Sequence, residues 1–596
     1  MARTVRIGCA SGFWGDSSIA APQLVARGDI QYLVFDYLAE ITMSILSRAR
    51  AAKPDMGYAT DFVDPVMTGI LREVKAKGIK VVANAGGVNP AACRDALAKA
   101  AAAQGIDLKI AIVTGDDLLA RGKELAGEGI CEMFSDAPWP SRVMSINAYL
   151  GALPIAAALD AGAEVVITGR CVDSAVALGP LIHEFGWRAD DFEKLAQGSL
   201  AGHIIECGAQ ATGGLFTDWQ RVERWDDIGY AIVECAADGS FIVTKPDGTD
   251  GLVSFGTVAE QLVYEIGDPA SYLLPDVTCD FTQVRIEEVG PHRVRVSGAR
   301  GRPPADRYKV CATYMDGWRL TALLIVGGID AAAKARRTGE TILRRTERML
   351  QASNLGPYRA TSVTAIGAEA TYGPRSAAEH VREAVLKLSA HHDEKAALEL
   401  LSREVAAPGC SMAPGTHGFG GGRPKVQPMV RLFSFLLPKS RVPVAVDLDG
   451  RAIAVAEPPT RAPQPSPQVE VPDVAPPSGP TVTVPLIRLA YGRSGDKGDN
   501  ANIGIIARRP EFYPAIRRAL TAAKVRDWFS HLVEGPVERF DLPGICGLNF
   551  LLHDALGGGG VASLRVDVQA KAYAQQLMDF PVEIPAAWQI EERDAA

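Results

Sequence analysis

The densest set of reactive side chains lies in HIIECGAQATGG, residues 203–214. On a helix, His203, Glu206, Cys207 and Gln210 stand at i, i+3, i+4 and i+7 and share one face. Those residue types can supply a base, an acid and a nucleophile. A His-x-x-Glu-Cys set can also bind a metal, although no second ligand pair accompanies it here. The bland alternative is a buried polar helix face packed against a sheet. TGDDL (114–118) places Asp116 beside Asp117 after an apolar run. Adjacent carboxylates can hold Mg²⁺ or divide acid and base roles, and one of them can simply cap a helix. RCVDS (170–174) brings Arg170, Cys171 and Asp173 together. Its arginine can clamp a carboxylate or phosphate, or pair internally with the aspartate.

Three glycine-containing stretches are candidate ligand loops. GCASGFWGDS spaces its glycines as Gly8, Gly12 and Gly15, which is not the dinucleotide fingerprint. It reads either as a turn whose amides face an anion, with Asp16 capping the next helix, or as a plain turn. NAGGVNP puts Asn84 and Gly86 after another apolar run. RSGDKGDNANIG (493–504) packs Arg493, Asp496 and Lys497 among glycines, which suits a phosphate or carboxylate unless the charges pair among themselves. A fourth stretch, PGTHGFGGGRPKVQP (414–428) with His417, Arg423 and Lys425, reads as a flexible flap or an anion-contacting loop, with a plain surface loop as the simpler reading. The catalytic candidates are therefore His203, Glu206, Cys207, Asp116 and Asp173. The ligand-binding candidates are Gly12, Gly15, Asp16, Asn84, Gly86, Arg170, Gln210, Arg493, Asp496 and Lys497. No metal set is expected.

These residues need elements to position them. VRIGCA, IQYLVFDYL, IKVVANAGG, LKIAIVTGDDL and AEVVITGRCVDS are apolar, β-branched runs that end in polar or glycine residues, with helical stretches between. That grammar predicts a mostly parallel, Rossmann-like sheet with both faces covered. Ligands of such sheets bind beyond the carboxyl ends of the strands, so Asp16, Asn84, Asp116, Arg170 and Asp173 should gather along one edge. Residues from about 225 to 345 alternate polar and apolar between glycine turns, which predicts an antiparallel or mixed insertion. Residues 330–355 and 376–405 read as amphipathic helices. From Pro458 to Pro485 there are ten prolines, a spacer that cannot build a core. The expected organisation is a main domain over 1–456, with an α/β core to about 220 and a mixed part from about 225. A linker over 457–483 and a small α+β domain over 484–590 follow.

Several stretches in order carry a family resemblance: GFWGDS, YLVFDYLAEITMSILSRAR, NAGGVNP, TGDDL, VITGRCVDSAVALGPLIHEFGW, HIIECGAQATGGLFTDW and DVTCDFTQV. Together they resemble the acyclic terpene utilization family, the AtuA-type proteins. GRSGDKGDNANIGIIAR (492–508) and PGICGLNFLLHDALGGGG (543–560) resemble the ferredoxin-fold domain that follows the main domain in that family. The resemblance implies a role in breakdown of branched acyclic terpenoids and related acids through acyl-CoA intermediates. The expected activity is proton-transfer chemistry of the hydratase or lyase type on an acyl-CoA or carboxylic acid. A non-catalytic subunit that binds other pathway enzymes is the alternative, and an NAD-dependent oxidoreductase is disfavoured by the glycine spacing. No tightly bound cofactor is expected, and a CoA thioester is a candidate substrate.

Composition bounds the rest. The 596 residues include 62 Lys+Arg and 70 Asp+Glu, a net charge of −8, which argues against a chain built to coat nucleic acid or anionic lipid. The ten cysteines are scattered singly, so neither a disulfide scaffold nor a zinc ribbon is expected. No apolar run is long enough for a membrane span and no signal peptide is read at the N-terminus. A cytoplasmic homo-oligomer with a small-molecule partner, and with neither nucleic acid nor membrane, is the expectation.

Overall fold

The computed structural model describes residues 3–590 except 379, 419–421, 463, 473–478 and 589. Parts of the glycine loop at 414–428 and of the proline-rich stretch therefore lie outside the described residues. An eleven-stranded mixed sheet forms the frame. At its centre stand Thr4–Cys9, Tyr32–Phe35, Lys80–Ala83, Val165–Thr168 and Ile110–Thr114, in that spatial order and all parallel. Their near-continuous apolar sequences follow from burial on both faces. Leu33, Phe35, Val81, Ala83, Ile110 and Ile112 enter one core, with helices Ala20–Arg27, Thr68–Lys77 and Pro90–Ala103. The alternate residues Tyr32, Val34, Val82, Ala111 and Val166 enter the other, with helices Leu153–Asp160, Ala175–Phe185 and Phe192–Ile205. Pro90 opens its helix at the first turn behind the N-cap Asn89, whose Oδ1 accepts from the Ala92 N–H at 3.4 Å.

Of the antiparallel strands of the middle region, four extend the main sheet, while Tyr272–Leu273, Thr278–Asp280 and Arg300–Arg302 form a three-stranded sheet of their own. Ile232–Ala236 pairs antiparallel with the first strand and carries Phe241–Thr244, Arg293–Ser297 and Arg285–Gly290 beyond it. Ala445–Leu448 and Arg451–Ile453 close the opposite edge. A second, six-stranded sheet is built around the long strand Arg307–Gly327. Glu383–His392 is one of its strands, so the helix expected over 376–405 is correct only for Lys395–Glu404. The reason is the alternation in EAVLKLSA: Ala384, Leu386 and Leu388 turn to the core while Val385 and Lys387 turn away.

The C-terminal part folds on a four-stranded antiparallel sheet: Ala490–Lys497, Asn500–Ala507, Gly547–Leu552 and Val537–Leu542. The helices Tyr513–Ala519, Ala522–Trp528 and Tyr573–Leu577 contribute to its core. The sheet also rests on the main domain. A Cβ at Gly504 would overlap Val263, and one at Gly495 would meet Tyr264. Asn502 and Asn549 are fully buried and donate to the carbonyls of Val263 (2.6 Å), Ile266 (3.0 Å) and Gly267 (2.7 Å), just past helix Phe255–Leu262. Those carbonyls have no helical partner of their own, so the second domain caps the first. Arg508 adds a two-pronged ion pair to Asp218, at 2.6 and 2.7 Å.

Candidate functional site

A cavity of about 1610 Å³ opens where the main sheet, the second sheet and the small domain meet. Three strand-end segments reach it, as the parallel topology requires. Gly12 and Asp16 come from the loop after the first strand, Asp36 and Glu40 from the segment after the second, and Arg170 and Asp173 from the loop after Val165–Thr168. Glu206, Cys207 and Gln210 form another part of the wall. They do not share a helix face, because helix Phe192–Ile205 ends at Glu206 and a separate 3₁₀ turn begins at Gln210. Gln210 instead accepts a hydrogen bond from Arg493 across the domain boundary.

His203 does not line the cavity. It is 1% exposed, behind Glu206, with Nδ1 at 2.9 Å from Glu206 Oε1 and Nε2 at 3.2 Å from the Leu262 carbonyl. Burial pushes the Glu206 carboxyl up to about 7, against the pull of His203 and with help from Asp173 and Glu265. Burial pushes the imidazole down, but the Glu206 carboxylate outweighs it and the net direction is upward. The pair thus holds a proton near neutrality. Burial, reinforced by Glu206, raises the Cys207 thiol well above its usual range, so it rests protonated and is not an activated nucleophile.

Asp116 also stands off the wall. Its Oδ2 accepts from the Arg170 N–H at 2.8 Å and from Asn147 Nδ2 at 3.0 Å, which fixes the backbone that carries the arginine. Burial raises its carboxyl to about 7. Asp117 caps Leu119 N–H at 3.0 Å and pairs with Arg50 at 3.1 Å. Asn84 accepts from the Tyr37 N–H at 2.7 Å and donates to Asp36, so it orients that carboxyl from behind the wall. Gly86 donates its N–H to the Thr168 carbonyl at 3.0 Å, a close approach that a Cβ would block. Gly15 is part of the loop but not of the cavity wall. The anion reading of that loop meets an occupant: Asp16 Oδ2 accepts the Gly12 N–H at 2.9 Å, and its Oδ1 accepts from Tyr230 Oη at 2.8 Å. Nor does Asp16 cap the following helix, whose N-cap is Ile19.

Arg170 is the centre of the polar wall. Its guanidinium lies 4.2 Å from the Tyr149 ring centroid and donates from Nη1 to Asp173 at 2.7 Å and to the Cys171 carbonyl at 2.8 Å. Its Nε has no partner among the described residues. Lys309 faces the same ring at 4.8 Å and stands 3.5 Å from Glu40, which also accepts from Tyr149 Oη. Burial works to raise the Glu40 carboxyl, but Lys309, Arg170 and the tyrosine hydroxyl hold it down to about 2. Burial and Asp173 raise Asp36 well above its usual range. The small domain contributes Asp496, Lys497 and Lys571. Burial and Glu265 raise Asp496 to about 7, with Lys571 opposing. Arg493 lies off the wall, with Nη1 donating to the Leu215 carbonyl at 2.9 Å.

The sequence reading missed Glu40, Tyr149, Lys309, Tyr264, Glu265 and Lys571. Glu40 carried a signal, since it follows the apolar run YLVF as Asp16 follows its own. Lys309 and Lys571 carried none, because they arrive from another sheet and another domain. Among the described residues, no group of three or more His, Cys, Asp or Glu side chains is arranged to hold a metal ion, and no helix is long and apolar enough to cross a membrane. All ten cysteines are free.

The fold is that of a mixed α/β protein with a ferredoxin-like domain docked over the carboxyl edge of its main sheet. The family model for the acyclic terpene utilisation family protein AtuA matches residues 5–448, and that for the AtuA ferredoxin-like domain matches 484–583. The chain belongs to this family. Searches of curated proteins and of solved structures returned no match.

Proposed function

We propose that the protein is an enzyme of branched acid or acyclic terpenoid catabolism that moves a proton next to a carboxyl or thioester carbonyl, in the manner of a hydratase or lyase. The observation that carries this reading is Glu206 on the wall of a cavity that also presents Arg170, backed by His203 so that the two together store a proton at about neutral pH. Family membership supports the pathway. An acid whose pKa lies near the working pH is suited to give and take protons. The guanidinium, fixed on Tyr149 and Asp173, suits charge that develops on a carbonyl oxygen. Leu38, Ile41, Ile45, Phe134, Phe433 and Leu436 supply an apolar wall for a branched chain. In hydration, Glu206 delivers its proton to one alkene carbon while water oxygen bonds to the neighbour, and the Glu206 carboxylate takes back the proton that water loses, so the acid is regenerated and no oxidant or reductant is required. Glu206 is the proposed donor, His203 the positioning residue behind it, and Asp36 a second carboxyl on the wall, held above its usual range by burial.

The test is turnover. Purified full-length protein is incubated with branched enoic acids and their thioesters, and the products are followed by mass spectrometry. Glu206→Gln should lower the rate by about 10²–10⁴-fold while the fold is retained. His203→Asn should shift the pH–rate profile rather than abolish it. A Glu206→Gln protein with unaltered turnover, or no turnover of any such compound by the wild type, defeats the reading.

A further inference from the structure

Charge is distributed unevenly over the cavity. Twelve Asp or Glu side chains and six Lys or Arg side chains line it. Each cation already faces an acceptor of the chain. Lys497 Nζ donates to the Glu265 carbonyl at 2.6 Å, and Lys571 stands 3.5 Å from Glu265 and 4.0 Å from Asp496. Lys309 faces Glu40, Arg307 stands 4.0 Å from Asp306, and Arg431 Nε lies 2.5 Å from Asp316.

Two of the glycine amides on the wall are spent as well. Asp499 Oδ1 accepts the Gly558 N–H at 2.9 Å within the GGGG loop, as Asp16 accepts that of Gly12. A pyrophosphate is normally held by clustered Arg and Lys, by free loop amides or by a helix N-terminus. Here the Gly12 and Gly558 amides carry the chain's own carboxylates instead. Arg170 is set apart by how firmly it is fixed: it is 4% exposed and lines the cavity, with Nη1 held by Asp173 and the Cys171 carbonyl and its Nε–H enclosed within the chain. Stacking on Tyr149 fixes the plane of its guanidinium, which suits one planar carboxylate or carbonyl.

We propose that the site recognises its ligand at the acyl end, with one carboxylate or carbonyl oxygen against Arg170 and the branched chain along the apolar wall, and that any polyphosphate carrier remains outside the cavity. This deepens the functional reading above and rests on it. The substrate class is then a branched monocarboxylic acid or its thioester, read without the nucleotide part of a carrier.

The experiment is calorimetry on the full-length wild type with four probes: a branched enoic acid, its N-acetylcysteamine thioester, its CoA thioester, and CoA alone. The truncated thioester should bind within about tenfold of the CoA thioester, roughly 1.4 kcal/mol or less. CoA alone should not displace either. Displacement by CoA with the affinity of its thioester, or a loss of more than about a hundredfold on truncation, overturns the proposal while leaving the enzymatic reading intact. Failure of every acyl probe to bind overturns both.

Discussion

At the scale of single residues, the cavity separates groups that face the ligand from groups that hold them. Asp116 belongs with the second kind, because both of its partners lie on the chain. Its carboxyl is raised to about 7 by burial, so the folded protein keeps a proton that the unfolded chain releases near pH ~4. The folded state therefore binds more protons between those values, and this group's contribution to stability falls as pH rises from about 4 to about 7. Asp116→Asn removes that dependence, and its amide oxygen can still accept from Arg170 and Asn147. Relative to the wild type, the variant should gain about 1–3 kcal/mol between pH 5 and pH 8, read from denaturant midpoints at the two pH values. Ligand affinity should stay close to that of the wild type. An unchanged difference across that pH range, or abolished binding in a folded variant, would show that Asp116 acts in the site itself.

At the scale of elements, what could be read early was what depends on local pattern. The five parallel strands announced themselves because burial on both faces forces consecutive apolar residues, and the polar ends of three of them reach the wall. Glu383–His392 was misread because its apolar residues adjoin a true helix and the two periods blend over a short window. The face expected to unite His203 with Gln210 failed for a different reason: the helix stops at Ile205, and Gly208 takes a positive φ just after it. Glycine meaning was equally hidden, since the sequence cannot say which glycine is crowded. Gly504 sits where the small-domain sheet meets Val263, whereas Gly69 lies on helix Thr68–Lys77 with nothing near its missing Cβ. Gly504→Ala should therefore destabilise by about 1–3 kcal/mol through overpacking. Gly69→Ala should stabilise by up to about 1 kcal/mol through helix propensity. Thermal melts of the two variants check the contrast, and equal effects would deny the close docking of the two domains.

At the scale of the whole molecule, the proline-rich stretch reads as a divider, yet the two units it joins share one cavity and one set of buried hydrogen bonds. Asp496, Lys497 and Lys571 stand on the same wall system as Arg170 and Glu206, so a detached small domain leaves that cavity open on one side. The joint is strong for a physical reason. Asn502 and Asn549 are fully buried, and separation would leave their amides and the Val263, Ile266 and Gly267 carbonyls to water, with the Arg508–Asp218 pair broken as well. Cutting the chain at an engineered protease site within 458–482 should therefore give two fragments that still co-elute on size exclusion and still bind ligand. Asn502→Leu leaves the Val263 carbonyl and Asn549 Oδ1 without their donor and the Glu265 N–H without its acceptor, at a cost of about 1–3 kcal/mol for each buried group left unpaired. In the cleaved protein that loss should show as dissociation at low concentration, while uncut Asn502→Leu stays folded because the tether keeps the domains at high local concentration. Fragments of the cut wild type that part freely, each with ligand binding intact in the larger one, would mean that the small domain is an appendage and the site belongs to the main domain alone.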